Sequence, residues 1–138
     1  MLQHTLNTSS MSVLAYLKGR KKEIANERKA IVDVRDVALA HVLALESSTA
    51  KGRYLCIGDC PSWSDIVREL KALAPTAKLP TEVSAKLPAP ALGAPPPHPT
   101  LCDCSRIESL GLVHFRKYAE QVAGTVASLK AQGHYGDL

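Results

Sequence analysis

The stretch "AIVDVRDVALAHVLALE", residues 30–46, narrows the ways this chain can fold. Ile31, Val32 and Val34 suit a short strand, and Asp36 stands where a helix start needs an acceptor for its free N–H groups. From Val37 to Glu46 the expected helix carries apolar side chains on nearly every face. A helix without a polar face needs protein all around it. The chain has 138 residues, enough for one domain that buries about two thirds of its extended surface. Whatever covers that helix has to be found in the remaining sequence or outside it.

The rest of the chain alternates strand and helix signals, which points to an α/β layout with parallel pairing. Residues 9–19 read as a first helix, capped by Ser9 or Ser10 and leaving through Gly19, and "RYLCI", residues 53–57, as a second strand. A third helix starts at "PSWSDIVRELKAL", with Ser62 and Asp65 as a capping box, and stops at Pro75. A short fourth helix opens at Ser105, boxed by Glu108, and ends at Gly111. The last runs from about Lys117 to Gln132, with Tyr118, Val122, Val126 and Leu129 inward. Six of nine prolines fall between Pro88 and Pro99, which favours an extended surface loop over 86–100. A proline-recognising partner is the less favoured reading of that loop. Residues 1–85 and 101–138 then form parts of one lobe.

Charge and composition exclude several classes. A net charge of +4 is too small to impose nucleic-acid binding, and with aromatics at 4% the stacking platforms for it are scarce. No apolar run approaches the ~20 residues of a membrane span. "MLQHTLNTSS" shows no secretory pattern, so a cytoplasmic protein with reduced thiols is expected. Cys56 and Cys60 are four apart and Cys102 and Cys104 alternate. Neither spacing is that of a zinc site, leaving structural thiols as the first reading and redox pairing as the second.

Several segments in register resemble one family. "LQHTLNTSSMSVLAYLKG", "VDVRDVALAHVLALE", "GRYLC", "SDIVRELKAL", "LPTE", "DCSRIESLGL" and "TVASLKAQGH" are similar to the C-terminal part of extended short-chain dehydrogenase/reductases (SDRs), nearest to the cinnamoyl-CoA and dihydroflavonol reductase branch. The resemblance implies the substrate-binding lobe of an extended SDR, about five helices with two short strands, lacking the Rossmann nucleotide-binding half. It implies an NADP(H)-dependent parent that transfers hydride to a carbonyl or CoA-thioester carbon. Neither the family's Gly-rich turn, which holds the pyrophosphate, nor its Tyr-x-x-x-Lys acid–base pair occurs here. Tyr16, followed by Lys18 and Arg20, is off that spacing and reads as a helix surface or boundary residue. The chain is therefore expected to bind no cofactor and perform no chemistry alone. A nucleotide-binding lobe or partner chain would cover the helix at 37–46 and the strand at 53–57, and self-association would be its substitute. The competing reading is a truncated, non-catalytic paralogue serving as an interaction or structural subunit.

By position, the resemblance assigns substrate contacts to Gln3, Thr5, Asn7, Ala25, Asn26 and Ala30, toward a phenylpropanoid or CoA-thioester acceptor. His4, Lys29 and Ile31 depart from the family's usual residues, the last replacing an aromatic. For each polar position, a capping or solvated role stands level with contact. Asp33 and Arg35 would share a strand face while Asp36 caps the helix, a structural set and not a catalytic pair. His41 is expected buried and hydrogen-bonded, and His98, His114 and His134 carry no partner pattern. The basic group Lys18, Arg20, Lys21, Lys22, Arg28 and Lys29 reads first as a solvated loop and second as an attraction for the phosphates of coenzyme A.

Overall fold

The computed structural model describes residues 5–86 and 102–136, so Gln3 and, beyond Lys86, the proline-rich loop lie outside the described residues. Five helices follow in order: α1 Thr8–Leu17, α2 Val34–Glu46, α3 Trp63–Leu73, α4 Ser105–Glu108 and α5 Tyr118–Ala131. Among the described residues, β-pairing is confined to isolated bridges, a parallel one between Ile24 and Val83 and an antiparallel one between Ile31 and Asp59. The described chain groups into two compact units, one from residues 5–27, 62–86 and 122–136, the other from 28–61 and 102–121.

The first unit is organised by helix capping and one aromatic pair. In α3 the Ser62 hydroxyl accepts from the Asp65 N–H while the Asp65 carboxylate accepts from the Ser62 N–H, the reciprocal box its sequence calls for. Trp63, Ile66, Val67 and Leu70 are buried along one side of α3, as the helical period requires. Tyr16 stacks at a tilt on Trp63, ring centres 4.9 Å apart. It is 1% exposed, a core residue and not the surface or boundary residue expected. Its hydroxyl oxygen accepts from the Ala25 N–H at 3.0 Å, and the Trp63 indole donates to Glu27 at 3.1 Å, so two buried rings hold the 25–27 loop. Gly19, with φ of +64°, turns the chain out of α1, and a Cβ there would meet the Lys78 carbonyl at 3.3 Å.

Local starts and stops differ from expectation in four places. Asn7, not Ser9 or Ser10, caps α1, accepting from the Ser10 N–H. α2 begins at Val34 with Asp33 as its cap: the β-branched run at 31–34 suggested a strand, but the Asp33 carboxylate captures the Arg35 N–H and winds the chain early. At α4 the serine box does not form. Cys104 occupies the cap position and Asp103 takes the Ser105 N–H instead. Residues 53–57 form no strand among the described residues.

Candidate functional site

The second unit is built around α2. Asp33 receives the Arg35 backbone N–H and both arms of its guanidinium at 2.8–2.9 Å, and that side-chain contact above all holds its carboxyl below the usual carboxylate range. One turn on, Asp36 is 1% exposed. It caps nothing. Its two oxygens accept from the Arg116 backbone N–H, at 2.8 Å, and from the Arg116 guanidinium. The pair ties α2 to the residues just before α5. Gln121 adds a bond to the Arg116 carbonyl, and the Tyr118 N–H reaches Asp59.

On its inner side α2 places Ala40 and Leu43 against Tyr54, Cys56, Ile57, Cys104, Ile107 and Leu112. Its outer side is apolar and bare: Val34 is 78% exposed, Leu45 86%, with Leu39 and Val42 also open. His41 lies there too, exposed, its Nδ1 2.8 Å from the Val37 carbonyl. It is not the buried imidazole anticipated, because a helix apolar all round gives no hint of which side faces solvent. Next to α2, the backbone N–H groups of residues 53–57 donate to nothing among the described residues, and the Tyr54, Leu55 and Cys56 carbonyls accept nothing. Tyr54 and Cys56 point into the cluster while Leu55 is open, the alternation of a strand edge. Backbone unpaired among the described residues and bare apolar side chains are both surface features of this unit.

A half-open cleft of about 280 Å³ in the same unit is lined by Gly58, Asp59, Cys102, Cys104, Glu108 and Lys117 among others. Sequence reading passed over it, because its walls come from segments far apart in the chain. Of the substrate contacts inferred from resemblance, Thr5, Asn7, Ala25 and Asn26 belong to the first unit and Ala30 to the second. Asn7 spends its side-chain oxygen on the α1 cap. The Ala25 N–H is held by Tyr16. Thr5, Asn26 and Ala30 are exposed. Among the described residues no hydrogen bond joins residues 5–7 to 25–26. In the basic group, Lys18, Arg20, Lys21 and Lys22 are exposed; Arg28 instead donates to the Cys60 carbonyl at 2.6 Å.

A dinucleotide finds no fitting cradle in these residues. Pyrophosphate is held by free N–H groups at a helix N-terminus. Here the chain's own acceptors occupy those ends: Asn7 at α1, Asp33 at α2, Ser62 and Asp65 at α3, Asp103 at α4 and Asp59 at α5. Carboxylates at four of the five would repel phosphate. No step of nucleotide chemistry is assigned to these residues. No described helix is long and apolar enough to cross a membrane.

Vestitone reductase from alfalfa (Medicago sativa L.) superposes with a TM-score of 0.74 at 24% identity, over 96% of this chain and 41% of the reductase, so the fold is that of the C-terminal portion of an SDR-fold reductase. Cinnamoyl-CoA reductase 1 of Arabidopsis thaliana is 39% identical over 133 residues, covering 96% of this chain and 37% of the reductase. Its Petunia hybrida counterpart is 37% identical over 134 residues, and tetraketide alpha-pyrone reductase 2 of Arabidopsis thaliana is 29% identical over 123. The chain is homologous to the C-terminal part of extended SDRs, with cinnamoyl-CoA reductases among its relatives. It spans about 38% of the length of those relatives. No family model matches it.

Proposed function

We propose that these residues are the acceptor-binding portion of an NADP(H)-dependent cytoplasmic reductase that converts a carbonyl or CoA thioester, of the kind cinnamoyl-CoA reductases are named for. A nucleotide-binding lobe supplies the hydride donor and acid–base pair, and it seats on α2 and residues 53–57. The single observation that carries this reading is the open edge: the N–H groups of residues 53–57, unpaired among the described residues, in a unit that also exposes Val42, Leu45 and Leu55. Pairing them with a strand of the lobe would satisfy the backbone and cover apolar area, each buried methylene contributing about 0.8 kcal/mol. In this reading the polar groups near Thr5, Asn7, Ala25 and Asn26 orient the acceptor. The exposed Asn26 amide both donates and accepts, which suits a carbonyl beside a hydroxyl.

The test is to titrate the purified chain with NADPH and then supply a hydroxycinnamoyl-CoA thioester. Neither NADPH binding nor NADPH oxidation is expected. Saturable turnover by the chain alone would overturn the assignment.

A further inference from the structure

The cleft in the second unit holds charges left over from folding. Glu108, His114 and Lys117 line it, and all three are exposed. Among the described residues their side chains take part in no hydrogen bond or ion pair. Glu108 and Lys117 thus carry opposite charges around one opening without pairing. Asp59 lines the cleft too, but its two oxygens accept from the Cys60 and Tyr118 N–H groups, which leaves Glu108 as the free carboxylate. Val113 and Phe115 supply apolar surface. The back of the cleft is fixed by its own contacts. Arg116, between Phe115 and Lys117, is tied to Asp36 through its backbone N–H and its guanidinium, and the Gln121 amide donates to its carbonyl. Gly58 packs so closely on this segment that a Cβ there would meet both the Arg116 carbonyl and the Phe115 side chain at 3.2 Å. A wall held this way keeps its shape, so little ordering opposes a ligand.

We propose that the cleft binds a free α-amino acid with an apolar side chain. Lys117 holds the carboxylate, with His114 as a second donor. Glu108 holds the ammonium group, and Val113 and Phe115 cover the side chain. Selectivity follows from the two charges. A plain carboxylate meets Lys117 but is repelled by Glu108, and a plain amine meets Glu108 but is repelled by Lys117. A zwitterion pairs with both. Size points the same way, because about 280 Å³ lies just below the ~300–1,000 Å³ of clefts that enclose drug-sized molecules. Both charged groups reach water, so binding is in the millimolar range and weakens as salt is raised. The site is independent of the acceptor-binding reading, since none of Thr5, Asn7, Ala25 and Asn26 lines it.

The probe is L-leucine, titrated into the isotope-labelled full chain and followed by amide proton–nitrogen correlation NMR. Saturable shifts are expected at residues 57–59 and 108–117. Isocaproate, which lacks the amine, and isoamylamine, which lacks the carboxylate, should each bind at least about fivefold more weakly. Lys117→Gln should weaken leucine by a similar factor. Glu108→Gln should weaken leucine yet tighten isocaproate, a reversal that loss of structure would not produce. Lys18→Gln, outside the cleft, should leave leucine binding unchanged. Absence of saturable shifts at millimolar leucine, shifts centred elsewhere, equal binding of leucine and isocaproate, or weakening of both ligands by Glu108→Gln would each overturn the proposal.

Discussion

Replacing Asp36 with alanine removes both acceptors of Arg116, a residue 80 positions further along. A hydrogen bond to a charged group contributes about 1.5–3 kcal/mol, and breaking a buried ion pair costs about 3–5 kcal/mol. The Arg116 side chain is 36% exposed and that of Asp36 2%, so a stranded guanidinium still reaches water. That solvation lowers the expected loss for Asp36→Ala to about 2–3 kcal/mol. With an unfolding entropy near 2.1 cal/mol/K per residue, each kcal/mol moves the melting point of a chain this long by about 3 °C, giving a fall of roughly 6–9 °C. The reverse truncation, Arg116→Ala, should cost at least as much, because it leaves a buried carboxylate with one backbone N–H. Urea unfolding followed by circular dichroism at 222 nm measures both, and the double variant closes the cycle. Its loss should fall short of the sum of the single losses by at least about 1 kcal/mol. Additive losses, or an Asp36→Ala loss under about 0.5 kcal/mol, would refute the reasoning.

Two smaller predictions follow from the same contacts. Asp33 and Asp65 titrate below their ordinary range, held by Arg35 and Ser62 respectively. A carboxylate depressed by folding stabilises the fold above its unfolded value, about 3.9, and loses that contribution as pH falls through the folded value. The urea midpoint should therefore drop below about pH 4, and less steeply in Asp33→Asn, which keeps a good capping residue; equal acid slopes would count against it. Tyr16→Phe deprives the Ala25 N–H of its acceptor and should cost about 1 kcal/mol, with Trp63 fluorescence as the readout of the ring pair; an unchanged midpoint would show that the bond contributes nothing.

How much of this was legible in the sequence depended on how local the cause was. α3 could be read because its cap, its period and its stop all lie within residues 62–75. The start of α2 was misplaced because Ile31, Val32 and Val34 favour extended backbone, while a single carboxylate, Asp33, decides the matter through the Arg35 N–H. Asp36 looked like that cap because its real partner, Arg116, is remote in sequence. The strand signal at 53–57 was sound as alternation, Tyr54 and Cys56 in and Leu55 out, yet pairing needs a neighbour that the described residues do not provide. The cleft also arises from the meeting of 57–59 with 102–104, which spacing alone does not reveal.

In the proposed function, α2 and residues 53–57 meet a nucleotide-binding lobe. The most direct test joins this chain to the part of Arabidopsis cinnamoyl-CoA reductase 1 that precedes the matched region and measures NADPH oxidation with a hydroxycinnamoyl-CoA thioester. The joined protein should turn over, neither part alone should, and turnover should be lost when Val42 and Leu45 are both changed to lysine. A joined protein that binds NADPH and folds but reduces no thioester, or one indifferent to the two lysines, would contradict that reading.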